Sequence, residues 1–245
     1  YSADLRVLGL YTLVTIPEYK ITERIRERFR AWYEIPYGKL PADGTLRVYR
    51  PPQVEGRDAA GVIAESGHNP LAVPEPSADE ARELALRYAP ILIQDEAAPY
   101  DRVGRVVWKG DTPTVDAERP ALYYYLSHAL VQGGPVLQVN YVFWYPARAG
   151  DLAPAIEHGR LDGLTLRLSF DKKGELFMID LMNNCGCYHI FIPERDRVAR
   201  SIARYYRNDP FAPQWLPGLG AGERYAFRIL SGWHQVQRVL AQAPP

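Results

Sequence analysis

Cysteine, methionine and long apolar segments are all scarce in this sequence of 245 residues. Its two cysteines, Cys185 and Cys187, are too few for the disulfide framework that holds small secreted domains together. No run of about 18 consecutive apolar residues is present, so we expect no membrane-spanning helix. Neither sign of charge is in excess, because 29 basic and 29 acidic residues cancel. That balance argues against nucleic-acid binding through a basic surface.

The abundant residues are those of a folded protein with many turns. Hydrophobic residues make up 47% of the chain and charged residues 24%, which is unlike a disordered sequence. The 19 glycines and 21 prolines predict frequent turns, and tyrosine is also common, with 17 residues. The sequence starts with Tyr1 rather than methionine, which indicates either a processed mature form or a trimmed chain. Together with the abundant tyrosine and proline, this favours a secreted or periplasmic protein.

The chain is predicted to have two parts. Residues 1–76 are expected to form a helical and irregular N-terminal segment packed on the core, and residues 77–245 a β-rich core domain. Thr15-Ile-Pro-Glu18 and Ser77-Ala-Asp-Glu80 have the pattern of a capping box, and each predicts the start of a helix. Residues 50–76 are rich in proline and glycine and are predicted to be a connector.

From residue 90 onward the pattern favours short strands separated by turns. Seven runs carry it: Pro90–Gln94, Val103–Trp108, Leu122–Leu126, Val136–Tyr145, Leu164–Phe170, Leu176–Leu181 and Tyr188–Ile192. Asp171-Lys-Lys-Gly174 is predicted to be a hairpin turn. A helix with a basic face is expected from about Pro193, and Tyr225–Leu230 with Gln235–Leu240 predict either a final hairpin or a strand and a helix. The expected fold class is α+β, an antiparallel β-sandwich or strongly curved sheet with peripheral helices.

The segment Asn183-Asn-Cys-Gly-Cys-Tyr-His189 is the most unusual in the chain. If it enters the following strand, Cys185, Cys187 and His189 point to one face and can converge on zinc or another divalent metal. A second interpretation is a small, labile disulfide between the cysteines, since Gly186 permits a tight turn. A third is that both cysteines are simply small apolar residues in the core.

A second polar cluster, Glu157-His-Gly-Arg-Leu-Asp162, precedes the predicted strand Leu164–Phe170. Its His158 and Asp162 are candidates for general acid–base catalysis, and its oxygens for cation binding. The alternative is an ordinary polar loop. Because Leu164–Phe170 and Leu176–Leu181 are predicted hairpin partners, this cluster and the cysteine segment should meet at one rim of the sheet.

Other candidates are weaker. His128 lies at the end of a predicted strand and could reach the same rim, whereas His68 and His234 are expected on the surface or as satisfied core residues. The aromatic run Tyr141–Tyr145 could line a groove for a glycan or lipid, but on an interior strand such residues more often belong to the core.

Two families share segments of this kind. Tyr88-Ala-Pro-Ile-Leu92, followed by Asp95 and Glu96, resembles the opening of the vacuolar protein sorting-associated 62-like family. Asn140-Tyr-Val-Phe-Trp-Tyr-Pro146, with a loop and a His/Asp segment after it, resembles that family and also the necrosis- and ethylene-inducing peptide-like proteins. The resemblance covers roughly residues 88–192 and implies a β-sandwich.

The necrosis- and ethylene-inducing peptide-like proteins bind a divalent cation through a His-Arg-His-Asp-Trp-Glu motif and attack membranes. Arg160 and Asp162 match that motif, and His158 is displaced from it by one position. Gly163 and Leu164 stand where the motif has tryptophan and glutamate. The resemblance thus implies a cation site and a membrane target, with only part of the motif present.

The leading hypothesis for function is a metal-dependent hydrolase with its site at the rim. Cys185, Cys187 and His189 would hold the metal, while the catalytic residues His158 and Asp162 would move protons on a bound water. The alternative is a non-enzymatic protein of the same architecture that binds a small molecule, a glycan or a lipid membrane through its aromatic residues. No partner nucleic acid is expected.

Overall fold

The structure, a computed structural model, describes Arg24, Glu27 and residues 30–52, 56–131, 134–196 and 213–241. The chain forms two compact units, Tyr1–Leu40 and Pro41–Pro245. In the first unit residues 30–34 are helical and Tyr37–Lys39 form a 3₁₀ turn. The predicted capping box Thr15–Glu18 lies outside the described residues, as does most of the basic helix expected after Pro193.

In its described part, the larger unit contains two main sheets, a separate hairpin and two helices. The helices are α1 (Ala59–Ser66) and α2 (Ala78–Arg87). The strands are β1 (Thr45–Tyr49), β2 (Ile91–Glu96), β3 (Arg105–Lys109), β4 (Thr112–Asp116), β5 (Tyr123–Val131), β6 (Gly134–Arg148), β7 (Gly159–Phe170), β8 (Leu176–Asn183), β9 (Ile190–Pro193), β10 (Ala226–Ile229) and β11 (Val236–Leu240). The mixed α+β class with two facing sheets is confirmed.

The five-stranded sheet is antiparallel and runs β5-β6-β7-β8-β9, so each strand pairs with the next in the chain. The predicted turn between β7 and β8 is confirmed: the Gly174 N–H donates to the Asp171 carbonyl at 2.9 Å, and Asp171 Oδ1 accepts the N–H groups of Lys173 and Glu175. Gly174 has φ +74°, and a Cβ there would collide with the backbone of Ala60 in α1. Only glycine therefore fits this turn.

The four-stranded sheet has the order β1-β2-β10-β11 and is mixed, because β2 and β10 run parallel. The antiparallel arrangement expected for the fold therefore contains one parallel pair among the described strands. The predicted hairpin near residues 225–240 is confirmed as β10–β11. Strands β1 and β4 were not predicted, since β1 is short and mostly exposed and β4 contains Pro113, a residue that disfavours strands.

Both helices lie in the chain between β1 and β2. The predicted capping box is present in α2, where Ser77 Oγ accepts the Glu80 N–H and the Glu80 carboxylate accepts the Ser77 N–H. Residues 50–76 are not only a connector, because they contain α1, capped by Asp58 through the Gly61 N–H at 2.8 Å. No helix among the residues that the structure describes is long and apolar enough to span a membrane.

Successive side chains of β6 point to opposite faces of the five-stranded sheet. Its alternate residues Leu137, Val139, Tyr141, Phe143 and Tyr145 are all buried. We call their side the inner face and the opposite side the outer face. The prediction that most of the aromatic run belongs to the core is thereby confirmed.

The inner face packs against both other layers. The Tyr141 hydroxyl donates to the Ala85 carbonyl of α2 at 3.0 Å, and the Tyr145 hydroxyl donates to Gln94 Oε1 of β2 at 2.9 Å. Helix α2 thus covers one part of the inner face, and the four-stranded sheet covers another part.

Candidate functional site

The two polar clusters expected at one rim of the sheet do meet there. Glu157, just before β7, accepts hydrogen bonds from the Tyr188 hydroxyl, from Arg148 Nη1 at 2.6 Å and from Trp233 Nε1 at 3.1 Å. The ring of Tyr188 also meets the ring of Trp233 edge-on, with centroids 5.3 Å apart. The loop before β7 and the loop after β8 are therefore joined, as the hairpin pairing predicts.

Beneath this rim lies a buried ion pair. Arg148 donates to both oxygens of Asp162, from Nε at 3.1 Å and from Nη2 at 2.6 Å, and both side chains are more than nine-tenths buried. Burial by itself raises the pKa of Asp162, but the hydrogen bonds from His234 and Arg148 outweigh it and hold the pKa below its ordinary value. Burial likewise lowers the pKa of Arg148, and its two carboxylate partners raise it overall.

His234 lies between two carboxylates and is completely buried. Its Nδ1 is 2.7 Å from Asp162 Oδ2 and its Nε2 is 3.2 Å from Asp101 Oδ1. Both ring nitrogens are therefore within hydrogen-bonding distance of a carboxylate oxygen, and an imidazole N–H can donate to the carboxylate that it faces. The ring stacks on Tyr145 with centroids 3.8 Å apart.

Asp101 fixes the other end of the network. It accepts hydrogen bonds from Ser231 Oγ at 2.9 Å and from the Gly232 N–H at 2.7 Å, besides those from the backbone of Ala97 and Ala98. Burial raises the pKa of Asp101, and the hydrogen bonds from His234 and the backbone lower it by more, so that it is below normal. Hydrogen bonds thus hold both buried carboxyls toward their ionised form and join the network into one unit, which stabilises one arrangement of the rim.

Backbone strain concentrates around this network. Among the described residues, four that are not glycine have positive φ, and three of them belong here: Leu161 (+58°), Tyr188 (+57°) and His234 (+53°). Such residues persist only where surrounding contacts hold them, and they cluster at functional sites. The network supplies those contacts, since it bonds Tyr188, His234 and the neighbour of Leu161 directly.

The cysteines are in a turn and not in a strand. Strand β9 begins only at Ile190, so the expectation that Cys185, Cys187 and His189 share one strand face is wrong. The turn is closed by hydrogen bonds from the Gly186 N–H to the Asn183 carbonyl at 2.7 Å and from the Asn183 N–H to the Cys187 carbonyl at 3.0 Å. The sequence Cys-Gly-Cys alternates like a strand, but Gly186 with φ +85° bends the chain.

Both thiols are free and exposed, and only Gly186 separates them in the chain. The hydrogen bond with Cys185, followed by partial burial and the nearby charge of Glu157, raises the pKa of Cys187 to about 11. The Cys187 thiol is therefore protonated at neutral pH.

His189 faces away from the cysteine pair, toward a carboxylate. Its Nε2 is 2.8 Å from Oδ1 of the buried Asp180, which also accepts a hydrogen bond from Arg167 Nε at 3.1 Å. Among the described residues, no group of three or more His, Cys, Asp or Glu side chains is arranged to hold a metal ion. The structure thus does not bring Cys185, Cys187 and His189 together as one ligand set.

The two predicted catalytic residues are also apart. His158 is exposed, and its Nε2 lies 3.2 Å from the Gly150 carbonyl and 3.1 Å from the Ala153 carbonyl. Asp162 is buried in the network with Arg148. His128, which was expected near the rim, has its Nε2 2.5 Å from the Pro74 carbonyl instead.

The outer face of the five-stranded sheet is polar where the inner face is apolar. One row of directly opposed residues crosses all five strands: Tyr125, Asn140, Arg167, Asp180 and Phe191. Residues opposed in register lie on the same face of a sheet. The outer face therefore carries aromatic, amide and charged groups side by side, although Asn140 and Asp180 are buried by their neighbours.

The β3–β4 hairpin borders this outer face. The Gly104 N–H donates to the Trp144 carbonyl at 3.0 Å, and the Val106 N–H donates to the Tyr123 hydroxyl at 3.0 Å. Between the hairpin and the ends of β6 and β7 is a cleft of about 380 Å³. It is lined by Lys109, Thr112, Pro113, Thr114, Pro146, Arg160 and Leu161.

Sequence reasoning missed most of the network and all of the cleft. His234 was expected on the surface or as a satisfied core residue, and the second is confirmed. Its partners could not be read locally, because Asp162 is 72 positions away and Asp101 is 133. Arg148 had a usable signal, since pairing the predicted strands Val136–Tyr145 and Leu164–Phe170 as neighbours would have placed it beside the loop of Glu157.

Neither family models nor curated proteins nor solved structures give a match to this chain. The resemblance to vacuolar protein sorting-associated 62-like and necrosis- and ethylene-inducing peptide-like proteins therefore stays a prediction.

Proposed function

We propose that the protein binds an acidic glycan in the cleft between the β3–β4 hairpin and the ends of β6 and β7. The observation that carries this proposal is the lining of the cleft. It contains two cationic side chains and two threonine hydroxyls, and no carboxylate among the described residues that form it. A ligand with hydroxyl groups and negative charge is complementary to that lining.

The two cations have complementary roles in this proposal. Arg160 can donate two parallel hydrogen bonds to a carboxylate or sulfate, and Lys109 supplies a point charge on the opposite wall. The hydroxyls of Thr112 and Thr114 can donate to or accept from sugar hydroxyls. Uronic acids and sulfated sugars carry both kinds of group.

Exposed aromatic rings on the hairpin and on the outer face support a sugar ligand. Trp108, on the hairpin, is 70% exposed, and Tyr123 and Tyr125, on the outer face, are 38% and 52% exposed. Aromatic rings with a polar atom offer an apolar face for the C–H groups of a sugar and a hydrogen bond at the edge. Several large exposed rings in one region of a protein are more often a binding surface than a chance exposure.

A glycan fits this region better than a lipid bilayer does. The rings share the outer face with Arg167, whose guanidinium is paired with the buried Asp180, and such a charged pair is costly to place against hydrocarbon. A location outside the cytoplasm is part of the proposal, because acidic polysaccharides are cell-surface and extracellular polymers.

Calorimetry with acidic and neutral polysaccharides tests the proposal. Polygalacturonate or heparin should bind, with affinity that falls as salt rises, and dextran should not. Lys109→Met and Arg160→Met should each weaken binding about tenfold, since each removes one charged contact. Lys172→Met is the matched control, because Lys172 is exposed in the turn at the other end of β7 and should bind as the wild type does.

Two outcomes would overturn the proposal. Equal binding of acidic and neutral polymers would show that the cleft does not select its ligand by charge. Binding to vesicles of anionic lipid, with no polysaccharide bound, would make the outer face a membrane surface instead.

A hydrolase is the second candidate function, and one observation favours it. His189 is held at Nε2 by the buried Asp180, as acid–base histidines are, and it lies beside the outer face with 39% of its side chain exposed. In this version His189 accepts a proton from the attacking water, with or without zinc at the rim. Release of reducing ends from a bound polysaccharide, lost in His189→Gln while binding persists, would support it. Metal analysis of the purified protein decides whether zinc takes part.

A further inference from the structure

We propose that Cys185 and Cys187 form a reversible dithiol–disulfide pair that exchanges electrons with small disulfides in solution. This inference is independent of glycan binding, because it concerns the turn between β8 and β9 and not the cleft. It assigns the turn a redox reaction, and it assigns Tyr188 the role of linking that reaction to the buried network.

The geometry of the turn favours this pairing. The two cysteines are one residue apart in a turn closed by backbone hydrogen bonds, and both are exposed to a reagent from solution. The residue between them is Gly186, with φ +85° and no heavy atom within 4 Å of where its Cβ would be. A bridge between cysteines one residue apart needs a tight backbone with room to adjust, and glycine in open space provides both.

The reaction balances as an ordinary thiol–disulfide exchange. The Cys185 thiol loses its proton to solvent, and its thiolate attacks one sulfur of a small disulfide and expels the other half as a thiolate. The Cys187 thiol then loses its proton and attacks the mixed disulfide at Cys185, which expels the second half. The protein loses two electrons and two protons, and one small disulfide becomes two thiols.

The raised pKa of Cys187 orders these two attacks. A thiol that keeps its proton at neutral pH is the poorer first nucleophile, so Cys185 attacks first and Cys187 resolves the mixed disulfide. Once the mixed disulfide has formed, the Cys185 sulfur is bonded to the small molecule and is no longer a thiol partner for Cys187. The leading contribution to the raised pKa is then removed.

Tyr188 connects the pair to the buried network. It follows Cys187 directly, it has a left-handed backbone, and its hydroxyl donates to Glu157, the partner of Arg148. Its ring also contacts Trp233, which is 1% exposed. A change of backbone at Cys187 on oxidation must move Tyr188 or release its hydroxyl, and either event alters the surroundings of Trp233.

The experiment uses the reduced full-length protein, titrated with mixtures of reduced and oxidised glutathione. The expected result is the joint loss of both alkylatable thiols in one two-electron step, with a mass decrease of two hydrogens and no dimer. The fluorescence of Trp233 should change along the same curve. Trp233→Phe should keep the thiol chemistry and lose that change.

Single-cysteine variants separate this proposal from its rivals. Cys185→Ser and Cys187→Ser should each stop at a mixed disulfide with glutathione, and neither should show the wild-type fluorescence change. Two results would overturn the proposal. The thiols could oxidise only to intermolecular disulfides, or they could stay reduced in excess oxidised glutathione. One equivalent of zinc that protects both thiols would also overturn it and make the turn a metal site.

Discussion

Replacing Asp162 by asparagine tests whether the buried network holds the rim of the sheet together. The carboxylate accepts two hydrogen bonds from Arg148 and one from His234, at 2.6 to 3.1 Å. An asparagine keeps one accepting oxygen and turns an NH₂ group toward one of these donors, whichever way it is oriented. The variant also leaves Arg148 with only Glu157 as a charged partner.

The expected loss of stability follows from the burial of the pair. Removing one member of a buried ion pair costs about 3–5 kcal/mol, because the other charge is left without compensation. For a unit of this size, 1 kcal/mol shifts the melting temperature by about 2–4 °C, so the shift should be roughly 6–20 °C. Urea denaturation followed by circular dichroism measures the free energy directly.

The control for this variant is Asp151→Asn, in the same connection between β6 and β7. Asp151 is exposed, so its replacement should change the free energy of unfolding by less than about 0.5 kcal/mol. A loss below about 1 kcal/mol in Asp162→Asn would refute the network as a stabilising element. Equal losses in the two variants would do the same.

The network also predicts how stability depends on pH. Burial raises the pKa values of Asp101 and Asp162, but hydrogen bonds led by those from His234 bring them below their ordinary range. A carboxyl whose pKa is lowered by folding stabilises the protein above its unfolded value of about 4, and that contribution is lost as pH falls toward the folded value. The urea midpoint should therefore drop in acid, and drop less steeply in Asp162→Asn; identical slopes would contradict the assignment.

Three further predictions concern other parts of the molecule. Gly174→Ala should lower the free energy of unfolding by more than about 1 kcal/mol, because it combines a positive φ with a collision at Ala60; a neutral result in urea denaturation would contradict the turn geometry. Tyr141→Phe should cost about 1 kcal/mol, since it leaves the buried Ala85 carbonyl without its hydroxyl donor, and a gain in melting temperature would disprove that bond. The rate of alkylation of Cys187, followed by peptide mass spectrometry, should keep rising up to about pH 11, whereas a plateau near pH 8.5 would show an ordinary thiol.

Sequence patterns predicted the fold where the signal was local. The aromatic run Tyr141–Tyr145 was expected mainly in the core, and Asp171–Gly174 predicted both a turn and the pairing of β7 with β8. Strand β4 was missed because Pro113 and two threonines give it no apolar alternation, although its pairing with β3 stabilises it.

The candidate site was predictable only in its position. Hairpin pairing correctly brought Glu157 and Tyr188 to one rim, but the strand assumed for the cysteines was a turn, because Gly186 can adopt a backbone that pattern alone does not reveal. His234 completes the network from a distant part of the chain, and no local pattern records such a partner. The cleft depends on how the β3–β4 hairpin packs, which is a tertiary property.

The parallel pairing of β10 with β2 has a consequence for how the protein is made. Until β10 arrives, one edge of β2 has no partner, and that apolar strand is open to other chains. The same hairpin brings Ser231 and His234 to Asp101 across more than a hundred positions of sequence. Assembly therefore includes the slow closure of a very long loop. Until that loop closes, Asp101 and His234 are without each other as partners. A ribosome that pauses before residue 226 should leave an aggregation-prone nascent chain, and chaperones that shield strand edges should matter most in that interval.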